Sequence, residues 1–113
     1  MMIRGNEIPV QEITRKGGTL LVRALRSGDD ALGGHGRIFA HSTLMPGNAM
    51  DYHMHDGESE TYYIIGGEGE YNDNGTLCRV SSGDVLVVRS GEGHGLRNTG
   101  TQPLDFVAIA LYD

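Results

Sequence analysis

Apolar residues along this chain come in runs of about four to eight, each closed by a cluster of Gly, Asn, Asp or Ser. No long stretch repeats apolar residues at three-and-four spacing, so the pattern predicts strands rather than helices. The runs are "TLLVRAL" (19–25), "RIFAHSTLM" (37–45), "MDYHMH" (50–55), "ESETYYII" (58–65), "VLVVR" (85–89) and "LDFVAIALY" (104–112). Between them, "GEYNDNGTLCRV" (69–80) reads as a hairpin, because "DNG" supplies residues that tolerate positive φ at a tight turn. "SGDDALGGHG" (27–36) reads as a mobile loop, and "SGEGHG" (90–95) as a Gly-rich turn that breaks a buried strand before "LRN" resumes it. Short strands at this spacing predict an all-β sandwich or barrel.

Composition sharpens that picture. The chain has 113 residues, short enough to read as one domain, with the strands of 37–112 as its core and further strands in 8–26 flanking it. Its 18 glycines against three prolines are scattered between the runs, as many tight turns require. A net charge of −6, with Lys and Arg dispersed, argues against nucleic acid as a partner. No apolar run reaches the length of a membrane span, and "MMIRGNEIPV" lacks the apolar core of a signal peptide. Cys78 is the single cysteine, which excludes an intrachain disulfide and makes a cytoplasmic location the default.

Chemistry concentrates in "GNAMDYHMHDGESETYYIIGG", Gly47 to Gly67. On a strand His53 and His55 share a face, about 6.6 Å apart along it, close enough for both imidazoles to reach one ion. Glu60 on the next run could return a carboxylate to the same point, and Glu58 has the same parity. Alone, such a motif is as readily a polar strand edge as half a metal site. His94, just past a buried run and flanked by glycines, is a second residue placed to face a cavity mouth or to sit in a loop.

Taken together the two segments resemble the cupin superfamily. Gly47, His53, His55, Glu60 and Gly67 reproduce its first motif, G(X)5HXH(X)3,4E(X)6G, without a gap. Gly83, Gly91, His94 and Asn98 fall in register with its second, G(X)5PXG(X)2H(X)3N, with Arg89 where the pattern has proline. That departure touches a turn residue and weakens the strand end, not the ligand set. The resemblance implies a double-stranded β-helix, a jelly-roll barrel, in which His53, His55, Glu60 and His94 bind one divalent transition metal. Such small cupins commonly form homodimers, which makes a homodimer the expected assembly.

Three imidazoles and a carboxylate suit Mn, Fe, Co, Ni, Cu or Zn, and leave two positions of a six-coordinate ion open. With that ligand set intact, the resemblance implies a metal-dependent enzyme acting on a small carboxylate or sugar-type substrate, of dioxygenase, decarboxylase or isomerase type. The alternative is a non-enzymatic cupin that binds or senses a small molecule. Glu58 and Tyr62 are the candidate catalytic residues; Glu58 could also supplement Glu60, and Tyr62 could instead be a core aromatic. By parity Ile64 should line the cavity with Tyr62, and Leu96 and Asn98 share a face with His94. Tyr71 and Phe106 read as packing residues, Met54 as facing away into core or dimer packing, and His35 and His41 as non-ligands.

Overall fold

A computed structural model describes residues 1–26 and 31–113; the expected loop at 27–36 thus falls partly outside the described residues. After a single 3-10 turn at Gly5–Glu7, the described chain runs through ten strands. They are β1 (Gln11–Arg15), β2 (Gly18–Ala24), β3 (Gly36–Leu44), β4 (Ala49–Met54), β5 (Glu58–Gly66), β6 (Glu68–Asp73), β7 (Thr76–Ser81), β8 (Val85–Val88), β9 (Gly93–Asn98) and β10 (Leu104–Tyr112). Two antiparallel sheets face each other, in the orders β1-β2-β3-β10-β5-β8 and β4-β9-β6-β7. This is the double-stranded β-helix expected from the sequence.

Alternation decides what faces inward. Along β10, Leu104, Phe106, Ala108 and Ala110 are buried, while the residues between them are partly exposed. Along β5 the same period buries Glu58, Glu60, Tyr62 and Ile64 and exposes Tyr63 and Ile65. The pleat that carries Tyr62 and Ile64 into the interior therefore carries two carboxylates with them. The core is a cluster of Leu44, Ile64, Leu96, Leu104, Phe106 and their neighbours, each large apolar side chain contributing roughly 1.5–3 kcal/mol on burial. Ile64 belongs to this cluster and not to the cavity, because one further step along β5 leaves the open end of the barrel.

The hairpin turn holds Asn74 and Gly75 at φ 50° and 102°, the left-handed pair that "DNG" implied. The motif glycines Gly47, Gly67, Gly83 and Gly91 also all hold positive φ, between 83° and 95°. Gly93 and Gly95 are different. They lie within β9, not in a turn, and so does His94, which pairs with His53 on β4 and with Asp73 on β6. A Cβ on Gly93 would strike the Tyr52 ring, so these glycines admit a neighbouring strand at close range rather than reverse the chain.

Arg89 at the proline position does not loosen its turn. Its N–H, which proline would lack, donates to Glu92 Oε1 at 2.8 Å, and the Glu92 N–H donates back to the Arg89 carbonyl at 3.0 Å. Asn98 has a fixed structural use: its amide donates to the carbonyls of Leu44 and Gln102, both at 2.8 Å, tying the β9–β10 connection to the end of β3. Asn98→Ala strands the buried Leu44 carbonyl and releases that of Gln102, and should destabilise the protein by about 1–3 kcal/mol in denaturant titrations. An unchanged midpoint would mean that other contacts hold the connection.

Candidate metal centre

Four side chains from four places in the chain meet between the sheets. His53 comes from β4, His55 from the residue just past it, Glu60 from β5 and His94 from β9. Their ligand atoms all lie within 4.8 Å of one another. His94 Nε2 is 3.1 Å from the Nε2 atoms of both His53 and His55, and Glu60 Oε1 is 3.4 Å from Nε2 of His55 and of His94. Glu60, His55 and His94 are buried, whereas His53 is exposed and stands on the open side.

Each ring is oriented from behind. His53 Nδ1 faces the Asp51 carbonyl at 2.8 Å, His55 Nδ1 the Glu58 carboxylate at 3.1 Å, and His94 Nδ1 the Tyr71 hydroxyl at 3.0 Å. The carbonyl and the carboxylate only accept, so Nδ1 carries the proton in His53 and His55. Their Nε2 atoms are then free to act as donors to an ion, and His94 Nε2 stands 3.1 Å from each. Four ligand atoms gathered this closely could hold a cation, and the donor set fits one. Bonds of about 2.1 Å at right angles place neighbouring donors about 3.0 Å apart, close to the spacings here. Histidine ligands held through the far nitrogen are the usual support of a bound metal.

Backbone contacts explain how the stagger of His53 and His55 is kept. The pairing of β4 with β9 shifts register between Met50 and His53. Beyond the strand, the His55 N–H donates to the Glu92 carbonyl at 3.0 Å and the Gly91 N–H to the His55 carbonyl at 2.8 Å. The turn that Arg89 and Glu92 close is thus the one that clamps His55.

Charge is balanced locally. Arg37 on β3 donates to both Glu58 oxygens, at 2.7 Å from Nη2 and 3.0 Å from Nε, and reaches Glu60 Oε2 at 4.0 Å. This pairing holds the Glu58 carboxyl below its ordinary range and raises the guanidinium. Burial pushes Glu60 up, but contacts from His94 and Tyr62 outweigh it, and the carboxyl ends below its ordinary range. Burial lowers His94, favouring the neutral ring that a metal needs. Tyr62 donates to Glu60 Oε1 at 2.9 Å; burial and that carboxylate push its hydroxyl well above the usual range.

The four residues named from the sequence as ligands are thus brought together. Glu58, left open as a ligand or catalytic group, sits behind His55. Tyr71 is not merely a packing residue, since its hydroxyl fixes His94, and burial pushes that hydroxyl's pKa above the ordinary range. Phe106 packs on Tyr62 with ring centroids 4.7 Å apart. Met54 is exposed rather than in the core, and His35 is exposed. His41 turns to the other face of its sheet, where Nε2 meets Asp105 Oδ1 at 2.9 Å. Arg37 and Tyr71 carried no local signal, because only the register of β3 and β6 against their neighbours shows what they reach.

With fold and site in place, comparison with known proteins gives their class. The model of the cupin-domain family matches residues 40–110, and the chain belongs to that family. It is 37% identical to the oxalate-binding protein of Thermotoga maritima, over 98% of this chain and 93% of that one. A Thermotoga maritima crystal structure described as a predicted oxalate decarboxylase matches with a TM-score of 0.93 at 36% identity, covering 100% of both chains. KdgF from Halomonas sp. shares the fold, with a TM-score of 0.77 at 16% identity over 100% of this chain and 94% of its own.

Two substitution series test the centre. His53→Ala combined with His94→Ala should leave the purified protein without stoichiometric transition metal by elemental analysis. Glu58→Ala and Arg37→Ala keep all four donors but remove or loosen the support behind His55, and should weaken metal affinity about 10–100-fold in competition with a chelating dye. Wild-type affinity in both single variants would show that Glu58 does not position the ligand.

Proposed function

We propose that the protein binds a divalent transition metal through His53, His55, Glu60 and His94, and on it a small dicarboxylate of the oxalate class. The observation that carries this reading is the trio of Nε2 atoms facing one another beside Glu60, under a cavity of about 870 Å³ that opens on the His53 side. Bound there, a divalent ion supplies Lewis acidity and open positions for two oxygens of a chelating acid. The chain's own part is to hold three neutral imidazoles and one carboxylate in place and to shield Glu60 and His94 from water. The name of the 37% identical Thermotoga maritima relative supports oxalate as the ligand class.

Turnover is the second reading, favoured by the description of the Thermotoga maritima crystal structure. Decarboxylation needs a proton donor at the carbon that loses carbon dioxide. The two residues singled out for such a role are engaged elsewhere: both Glu58 oxygens accept from Arg37, and the Tyr62 proton is committed to Glu60. Those commitments favour binding over turnover, against the enzyme expected from the sequence. The test is calorimetry with protein loaded with manganese, cobalt or zinc in turn. The metal form should take up one oxalate per chain, and the chelator-treated protein and the His53→Ala/His94→Ala variant none. Oxalate binding that survives metal removal would refute the proposal, and release of carbon dioxide from oxalate would transfer it to the second reading.

A further inference from the structure

The two sheets are unequal, and the difference falls beside the metal centre. Six strands face four, so the wider sheet overhangs at its β1–β2 edge, where β2 meets chiefly β4 of the sheet opposite. That overhang carries a row of apolar side chains, with Arg15 and Lys16 lining the cavity beside them. Ile13, Leu20 and Val22 alternate inward from β1 and β2, and Ile38 continues the row on β3. Met50 and Phe106 join this wall to the residues around the cluster, and all six line the same cavity as His53, His55 and Glu60. Only Val22 and Phe106 are fully buried; the others remain partly open, as a wall without a partner must be.

Size and chemistry both exceed what a small dicarboxylate uses. A cavity of about 870 Å³ lies within the roughly 300–1,000 Å³ typical of pockets that take drug-sized ligands. Oxalate has no apolar surface to place against Ile13, Leu20 or Ile38. Resting on the proposed function, we infer that the site takes a longer acid: a chelating head, such as a 2-oxo carboxylate, on the metal and an alkyl or aryl tail along the β1–β2–β3 wall. The head supplies two adjacent oxygens, which the centre can accept as it accepts oxalate. The tail displaces water from apolar side chains, a gain that grows with the area covered.

The experiment is a series of straight-chain 2-oxo acids, pyruvate, 2-oxobutanoate, 2-oxohexanoate and 2-oxooctanoate, titrated into metal-loaded protein beside oxalate. Affinity should climb about two- to fourfold with each added methylene until the wall is covered. In Leu20→Gln, at a half-buried position that tolerates a polar side chain, the ratio of 2-oxooctanoate to pyruvate affinity should fall several-fold. A flat series alongside clear oxalate binding overturns this inference and leaves the proposed function standing. Absence of binding by oxalate and by every 2-oxo acid overturns both. A second copy of the chain covering the wall would instead give a flat series with a mass that doubles with concentration, and that too overturns the inference.

Discussion

Everything at the centre depends on His94 Nε2 standing 3.1 Å from the Nε2 atoms of His53 and His55, a crowding that the structure has to enforce. In this chain the forcing is distributed: a carbonyl, a carboxylate and a phenol each fix one imidazole from behind. Without a cation the interior of the barrel crowds three imidazole nitrogens beside the Glu60 carboxylate. Include one, and every hydrogen bond around the cluster acquires a use. Arg37 neutralises Glu58, Glu58 holds His55, and the turn at Arg89–Glu92 keeps His55 in reach. The supporting structure is as large as the site itself.

Much of this was legible from the residues. The strands followed from short apolar runs closed by turn residues, the turn at Asn74–Gly75 from its dipeptide, and the four ligands from motif spacing. What failed to show did so for a physical reason. His94 was assigned to a turn because glycine punctuates chains locally, whereas Gly93 is there to let the Tyr52 ring close on β9. Parity placed Ile64 on the correct face but not at the correct depth, since alternation says which side a residue faces and not which layer it occupies. Arg37 and Tyr71 act through partners 21 and 23 residues away, and only sheet register makes such pairs.

The mismatch between six strands and four links fold to ligand. A sandwich of equal sheets would close over Leu20 and Ile38 and leave the cluster at the end of a narrow slot. Here the wider sheet supplies an apolar shelf next to a polar centre, two environments within one cavity. Such a juxtaposition would suit molecules that are themselves divided into a charged head and an oily remainder.

The placement of the donors also bears on how the chain folds. His55 and His94 are 39 residues apart in sequence, and Glu60 lies on the sheet opposite His53. An ion shared by them acts as a removable cross-link between the two sheets, closing long loops much as a disulfide does in chains that have cysteines to spare. This chain has one cysteine and cannot use that device. With an ion bound there, its resistance to unfolding would follow the free metal around it, rising with the logarithm of concentration once the site begins to fill. Metal supply and stability would then be coupled through the same four side chains.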